Sequence, residues 1–234
     1  MSANQPTSIR SINMAKRRDR LLTQARKLIT QGGIEGLNLR TLAREAGVTV
    51  PTIYNLIGNK EAVVVALWRE ALAAIAERIE THSTAHPLEK AESVVNESIG
   101  VFGEDEDYYR AAFLAVEYLD QQTEHADAVA QLYAWAAQLT AEAHKACHEA
   151  GLLRARIPGQ LSGEQILRAY RTSCRAWAMG QISIEEFRKA ALTDVYMSLA
   201  ADAVETFNTT LITKVAALNG TPSALTRERQ RGER

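Results

Sequence analysis

Residues 39–60, LRTLAREAGVTVPTIYNLIGNK, decide the fold of the N-terminal part of this 234-residue chain. Leu42 and its apolar neighbours share one face of a short helix, and Gly47 follows where a left-handed cap suits glycine. Thr49 can cap a second short helix, whose first turn holds Pro51 at little cost, because the backbone N–H that proline lacks would be unpaired there anyway. Two short helices joined by a glycine turn predict a helix-turn-helix, whose second helix lies in a major groove of DNA.

The same stretch resembles the DNA-binding domain of TetR-family transcriptional regulators. The resemblance covers about residues 15–66, and it is carried by Gly36, Leu42-Ala43, Ala46-Gly47-Val48, Pro51-Thr52-Ile53-Tyr54 and Asn59-Lys60-Glu61-Ala62. It implies an N-terminal reader of DNA on a helical body that senses a small molecule. The chain departs from the family at Leu39, where a small polar residue is common, and at Asn55-Leu56, where aromatic or histidine residues are common. The base contacts are therefore not carried over.

Composition and periodicity predict an all-α fold. Glycine and proline number only 13 and 5, and no segment alternates apolar and polar residues as a half-buried strand would. We expect a three-helix head, joined by a long helix of about 34 Å to a helical body that binds ligand and dimerises. We expect a flexible arm over residues 1–13 and the DNA-binding domain over residues 14–59. The ligand-binding and dimerisation domain would follow over residues 60–220, and a disordered tail over residues 221–234.

Charge is distributed unevenly along the chain. Residues 1–60 contain ten lysines and arginines against three acidic residues, whereas the whole chain has a formal net charge of −1. A basic head on an acidic body is typical of a protein that binds a polyanion through one end. The alternative is a solvated charged helix, but the helix-turn-helix pattern beside it favours DNA.

The chain lacks the features of a secreted or membrane protein. Its opening, MSANQPTSIR, has no apolar signal segment, and its longest apolar run, residues 62–68, is too short to span a bilayer. Its two cysteines, Cys147 and Cys174, cannot form a disulfide framework and are expected as small core residues. We therefore expect a cytoplasmic protein with no membrane contact and no cofactor.

The residues of the head that its core does not need are the candidates for DNA contact. Those at the start of the second helix would read bases, while the resemblance puts phosphate contacts at Tyr54 and Lys60. The first helix of the motif offers further backbone contacts, or else a merely solvated face. The predicted DNA-binding set is Arg40, Thr41, Arg44, Thr49, Val50, Pro51, Thr52, Tyr54, Asn55 and Lys60.

The body contains aromatic residues at helical spacing. Each could simply pack the core, or together with a few polar groups they could line a cavity for a small molecule. The resemblance favours a cavity, and the scarcity of clustered cations favours a mainly apolar effector with one or two hydrogen-bonding groups. The predicted ligand-binding set is Phe113, Glu117, Trp135, Leu139, His144, Ser173 and Trp177.

The last two long helices, near residues 162–180 and 184–218, resemble in placement the pair that forms the dimer interface in this family. Small residues such as Ala176 and Ala190 would let helices approach closely, and larger ones such as Leu199 would supply packing. The same residues could form the core of a monomer. A reader of palindromic DNA needs two-fold symmetry, which favours a homodimer.

Two histidine pairs at i,i+4 spacing, His82/His86 and His144/His148, could bind a metal. The first pair lies near an expected helix C-terminus, and the second has only Cys147 or Glu149 as a nearby third ligand, so no metal site is predicted. We expect a ligand-responsive repressor acting as a homodimer on a palindromic operator. The alternatives are a helical metal-dependent enzyme and a regulator controlled by a protein partner.

Overall fold

The computed structural model describes residues 9–82, 86–122 and 126–220 and is all-α, as the sequence predicts. In the described residues the helices follow one another in chain order with short connections. They are α1 Ile9–Gly36, α2 Leu39–Ala46, α3 Val50–Leu56, α4 Lys60–Thr81, α5 Pro87–Gly103, α6 Glu106–Asp120, α7 Ala126–Glu149, α8 Gly159–Ala178, α9 Ile184–Ala200 and α10 Glu205–Leu218. Among the described residues, none of these helices is both long and apolar enough to cross a lipid bilayer.

The chain folds as two compact units. The first comprises Met1–Ala71 and Asp105–Ala130, and therefore contains the helix-turn-helix together with α6. The second comprises Leu72–Glu104 and Gln131–Arg234, and contains α5 and the C-terminal helices. Helices α4 and α7 each contribute residues to both units.

Helix α1 is longer than the sequence predicts at both ends. We expected about Met14 to Gln31, but the helix begins at Ile9 and reaches Gly36 across a kink at Gly32-Gly33. Gly33 has a φ of 59°, a left-handed value that glycine adopts without strain. The first eight residues of the predicted arm and the whole predicted tail, residues 221–234, lie outside the described residues.

The first unit has an apolar core made by α1, α2, α3, α4 and α6. Its buried side chains include Leu21, Ile29, Leu42, Ile53 and Leu67. Beside them, the ring of Trp68 meets the edge of Phe113 at a centroid distance of 5.7 Å. Helix α6 packs directly on α1, so the three helices of the head share one core with a helix that the sequence predicts as part of the body.

The second unit is built around stacked aromatic rings. Trp177 lies between Phe102 and Phe187, with centroid distances of 5.4 and 5.7 Å, and Tyr170 meets Phe187 at 5.0 Å. The phenolic oxygen of Tyr170 donates to Ser98 Oγ at 2.8 Å, so its one polar atom is satisfied within this cluster. Stacked rings of this size supply much of the apolar burial that holds α5, α8 and α9 together.

The sequence predicts one C-terminal helix over residues 184–218, but the structure divides it into α9 and α10. Between them Ala203 forms an antiparallel β-bridge with Leu153, and the backbone N–H of Arg154 donates to the carbonyl of Asp202. The buried carboxylate of Asp202 also accepts the backbone N–H groups of Arg156 and Ile157, at 3.0 and 3.4 Å. These bonds attach the α7–α8 loop to the α9–α10 connection.

The spacing of Ser162 with Gln165 and of Ser183 with Glu186 predicts a capping box at two helix starts, and the structure confirms the second. Ser183 accepts the backbone N–H of Glu186 and Glu186 accepts that of Ser183 at the start of α9. The box predicted at Ser162 and Gln165 is wrong, because α8 already begins at Gly159. Ser162 instead lies one turn inside α8 and is buried.

Candidate DNA-binding surface and ligand-binding residues

The two helices of the DNA-binding motif are capped by their own side chains. Asn38 Oδ1 accepts the backbone N–H groups of Arg40 and Thr41, at 2.9 and 3.3 Å, and so begins α2. Thr49 Oγ1 accepts the backbone N–H of Thr52 at 3.3 Å and begins α3. These bonds satisfy donors that an open helix start would leave unpaired, and they fix where each helix begins.

Gly47 makes the turn between α2 and α3. Its φ of 64° and ψ of 41° are left-handed, and its N–H reaches back to the carbonyls of Ala43 and Arg44. A side chain with a Cβ would be strained in this conformation, so glycine sets the angle between the two helices. The predicted turn is confirmed by this geometry.

The structure places the predicted DNA-binding residues around this turn and on the two helices beside it. Leu42 and Ile53 are fully buried and hold the motif on its core, while Tyr54 is 55% exposed. Arg40, Arg44, Thr49, Pro51 and Asn55 are also exposed, and Thr41, Val50, Thr52 and Lys60 are half-buried. Arg44 pairs with Glu45 at 3.2 Å, so part of its charge is neutralised locally.

Lys60 lies at the first position of α4, beside a further helix start. Asn59 Oδ1 accepts the backbone N–H of Ala62 at 2.9 Å and so caps this helix. A lysine at an N-terminus, where the backbone N–H groups are directed outward, suits a phosphate oxygen. The phosphate contact of Lys60 stays a prediction. The cap at Asn59 was not predicted, although an asparagine before a helix is a recognisable signal.

A polar junction that the sequence did not indicate joins α1 to α4 and α6 within the first unit. Glu70 lies 3.7 Å from Arg26 and 3.8 Å from Arg18, and the Arg26 guanidinium lies 4.5 Å from the ring centroid of Tyr108. Burial raises the pKa of Glu70, against the effect of the two arginines. Burial also raises the pKa of Tyr108. Arg26, Glu70 and Tyr108 lie on three different helices and are at least 38 positions apart in the sequence. No local sequence pattern could therefore have grouped them.

The predicted ligand-binding residues are divided between the two units. Phe113 and Glu117 lie on α6 in the first unit, and both are buried. In the second unit Trp177 is fully buried among the stacked rings, whereas Trp135 is 38% exposed. Of the remaining three residues, His144 is buried, whereas Leu139 and Ser173 are half-buried.

His144 packs against the start of α8. A Cβ at Gly159 would lie 3.1 Å from His144 Nδ1, so glycine lets the imidazole approach the backbone. Burial lowers the pKa of His144, Asp202 acts in the opposite direction, and His148 adds to the lowering. A neutral imidazole is therefore favoured at this position at neutral pH.

Two open clefts lie on the second unit. One, of about 540 Å³, lies between α7 and α8, with Tyr133, Arg168 and Arg171 among its lining residues. The other, of about 440 Å³, is lined by α4, α5 and α7, and Leu139 is the member of the predicted ligand set that borders it. Among the described residues, no group of three or more histidine, cysteine and acidic side chains could hold a metal ion.

Comparison with known proteins identifies the DNA-binding motif. Residues 21–67 match the family described as "Bacterial regulatory proteins, tetR family". Residues 21–67 thus form a DNA-binding domain of the tetR family. The chain is a DNA-binding transcriptional regulator. The alternative of a metal-dependent enzyme is not supported, because regulators of this family are not enzymes. Among curated proteins, none matches this chain.

Solved structures share the fold of this chain. FadR of Thermus thermophilus, in complex with lauroyl-CoA, has a TM-score of 0.65 and 21% identity over 80% of this chain and 96% of its own. FadR of Bacillus subtilis, in complex with stearoyl-CoA, has a TM-score of 0.63 and 17% identity over 77% and 97%. SmeT, the repressor of the Stenotrophomonas maltophilia multidrug efflux pump SmeDEF, has a TM-score of 0.60 and 20% identity over 81% and 92%.

Proposed function

We propose that this regulator is a ligand-responsive repressor that acts as a homodimer on a palindromic operator. The observation that carries the proposal is the capped motif around Gly47, which presents α3 with exposed and half-buried side chains and with Lys60 beside it. In a symmetric dimer, two such helices would enter successive major grooves about 34 Å apart. A ligand that binds better to a conformation with a different spacing would release the operator.

The DNA part of the proposal predicts different effects for phosphate and base contacts. Lys60→Gln should weaken binding to every duplex alike and lower the slope of log K against log salt by about 0.9, because one phosphate contact is lost. Thr52→Ala should instead change the preferred bases. Selection of sites from random DNA, followed by fluorescence anisotropy at several salt concentrations, measures both effects. If the selected site binds no more tightly than random duplexes, the proposal of a sequence-specific regulator is wrong.

The dimer would use the surface of α8 and α9, but not the large side chains that the sequence suggested for it. Phe187, Leu192, Val195, Tyr196 and Leu199 are all buried within the single chain, where they pack its own core. What remains on the outer side of these helices are half-buried small residues such as Ala176 and Ala190, with the exposed Met197. Small residues permit the close helix approach of a four-helix interface.

The effector would be a mainly apolar molecule with one or two hydrogen-bonding groups. The aromatic side chains of the second unit support this proposal, and so do the acyl chains in the two FadR complexes, which are apolar. The CoA portion of those ligands carries phosphates, which the proposed effector lacks. Control by a protein partner is the second candidate, since the Trp177 ring stack already fills the space between α5, α8 and α9.

Trp135 gives the sharpest test of the effector proposal. Because this ring is partly exposed, Trp135→Ala should keep the melting temperature and operator affinity while it weakens the response to an apolar effector. Trp177→Ala cannot serve this test, because truncation of a fully buried tryptophan typically lowers the free energy of unfolding by about 3–5 kcal/mol. Operator release and thermal shift should be measured together with fatty acids, acyl-CoA esters and polycyclic aromatic compounds. Release by CoA or a nucleotide alone would contradict the proposal of an apolar effector.

A further inference from the structure

The first three turns of α1, residues 9–20, form a basic segment of this helix. Among residues 12–20, whose side chains the structure describes, all are exposed except the half-buried Arg18, and the next residue, Leu21, is buried. Ile12 and Met14 are 42% and 45% exposed, although they are apolar. These twelve residues would span about 18 Å, the length of about five base pairs of B-DNA. A helix of this length without a packed face is marginally stable in water, so a partner that covers it would stabilise it.

Three cations lie on one side of this segment: Lys16, Arg17 and Arg20, which we term the basic face of α1. At 100° per residue Lys16 and Arg20 lie 40° apart around the helix, and Arg17 lies beyond Arg20. All three are exposed, and within the described parts of the chain no ion pair is recorded for any of them. Two like charges at i,i+4 repel each other, which disfavours this helix until an anion is near.

The other charged residues of α1 are used differently. Arg18 and Arg26 both lie within 3.8 Å of Glu70 on α4, inside the first unit. The nearest acid on the helix, Asp19, acts on the pKa of that same Glu70, so it belongs to the side of the helix directed toward α4. Asp19 also lies only 60° from Lys16 around the helix, so this carboxylate borders the basic face of α1. The three cations of the face outnumber it, which leaves a net positive charge for a partner.

The basic face is continuous with the motif that reads DNA. The Arg20 guanidinium lies 4.0 Å from the position of a Cβ on Gly47, the turn between α2 and α3. On nearly the opposite side of α1 from Arg20, Arg18 borders a small cleft together with Leu56 and Asn59, at the turn between α3 and α4. The segment thus runs beside both ends of α3.

We propose that the basic face of α1 binds phosphates of the DNA backbone next to the bases that α3 reads, and so extends the DNA contact beyond the helix-turn-helix. The inference rests on the proposed function as a DNA-binding regulator. Lysine and arginine on an exposed helix match a row of phosphates in charge, and such contacts add affinity without adding base specificity. Because they are independent of sequence, they can be measured on any duplex.

The test compares wild-type protein with a Lys16→Gln, Arg17→Gln, Arg20→Gln triple variant on the selected operator and on a random duplex, at 50 and 200 mM KCl. Each lost phosphate contact should lower the salt slope by about 0.9, so the deficit in affinity should be about threefold larger at 50 mM than at 200 mM per contact. The preferred bases should be unchanged. Removing the base pairs that flank the operator should weaken wild-type binding and leave the triple variant unaffected.

Lys27→Gln is the matched control, since it removes an exposed lysine from the same side of α1, about 10 Å further along the helix than Arg20. The salt slope of Lys27→Gln should equal that of the wild type. If Lys27→Gln instead lowers the slope as much as each substitution in the basic face does, the effect comes from the overall charge of the protein, and the inference is overturned. Arg20→Lys should retain the slope, which separates phosphate binding from support of the Gly47 turn. An unchanged slope in the triple variant, with loss of binding to anionic phospholipid vesicles, would assign the face to a membrane surface instead. If the wild-type protein shows no sequence preference but the triple variant still has a lower salt slope, only the proposed function as a sequence-specific regulator is contradicted.

Discussion

Leu199→Arg should unfold the C-terminal helices, and a folded monomer is not the expected product. Leu199 lies on α9 with 1% of its surface exposed, in contact with the core of its own chain. An arginine there would lose the apolar burial and put an unpaired charge in the core, a combination that costs more than about 4 kcal/mol. Since domains of this kind are stable by only about 5–15 kcal/mol, loss of the folded state is expected. Circular dichroism and a thermal melt of the purified variant measure this effect.

Met197→Arg is the matched variant for the dimer proposal. Met197 is on the same helix and 58% exposed, so the substitution removes nothing from the core of the single chain. If α8 and α9 form the dimer interface, this variant should keep its helical content but become monomeric and lose operator affinity. Light scattering at micromolar concentration distinguishes the two variants. A Met197→Arg protein that remains dimeric would contradict an interface at this surface, and a folded Leu199→Arg protein would contradict its burial.

The head of the molecule was predictable because its signals are local. Asn38, Gly47 and Thr49 each fix a helix end through bonds to residues no more than four positions away. The sequence predicts these two helices near residues 39–46 and 50–56, which are their bounds in the structure. The Ser183 capping box was predictable for the same reason. Glycine and the capping residues act on their own backbone, so their effect can be seen in the sequence alone.

Features made by distant contacts were not predictable. No glycine or proline interrupts residues 200–204, and the periodic pattern continues through them, so a single long helix was the natural prediction. The helix ends at Ala200 because Asp202 and Ala203 bond instead to the loop at residues 153–157, almost fifty positions earlier. The α6–α1 contact and the Arg26–Glu70 pair are long-range in the same way.

The two candidate sites also differ in how far the sequence could predict them. The DNA-binding residues form one continuous segment, so the sequence was sufficient to group them. The ligand set was chosen from helical spacing, which cannot separate a ring that packs the core from one that borders a cavity. The burial of Trp177 and Phe113 and the exposure of Trp135 now rank these residues for mutation, and the assignment of the effector site stays a prediction.

Asp202→Ala should destabilise the second unit by about 2–3 kcal/mol. The Asp202 carboxylate is buried and accepts the backbone N–H groups of Arg156 and Ile157, and its removal leaves both donors without their acceptor. A donor left unpaired in a partly buried position costs about 1–3 kcal/mol. The side chain of Arg156, by contrast, is 62% exposed, so its ion pair with Asp202 at 3.3 Å contributes little. Arg156→Ala is therefore the matched control, with an expected change below about 1 kcal/mol.

The dependence on pH identifies the carboxylate as the cause. Burial opposes the ionisation of Asp202, but the hydrogen bonds from Ile157 and Arg156 outweigh it and hold the pKa of Asp202 below its usual range. Because the folded-state pKa is lower than the unfolded one, the carboxylate stabilises the fold at every pH above the unfolded value of about 3.9. This contribution is lost as the pH falls through the lower, folded-state pKa.

Urea unfolding of wild-type and Asp202→Ala protein should therefore give a constant difference in the free energy of unfolding between about pH 5 and pH 8, which narrows only below about pH 4. Asp202→Asn should recover part of the loss at neutral pH, because its amide oxygen can still accept one of the two backbone N–H groups. A difference that instead changes as the pH falls below about 6.5 would point to the neighbouring His144, because burial lowers its pKa from that value while Asp202 acts in the opposite direction. If Arg156→Ala destabilises as much as Asp202→Ala, the ion pair and not the backbone bonds attaches the α7–α8 loop to the end of α9.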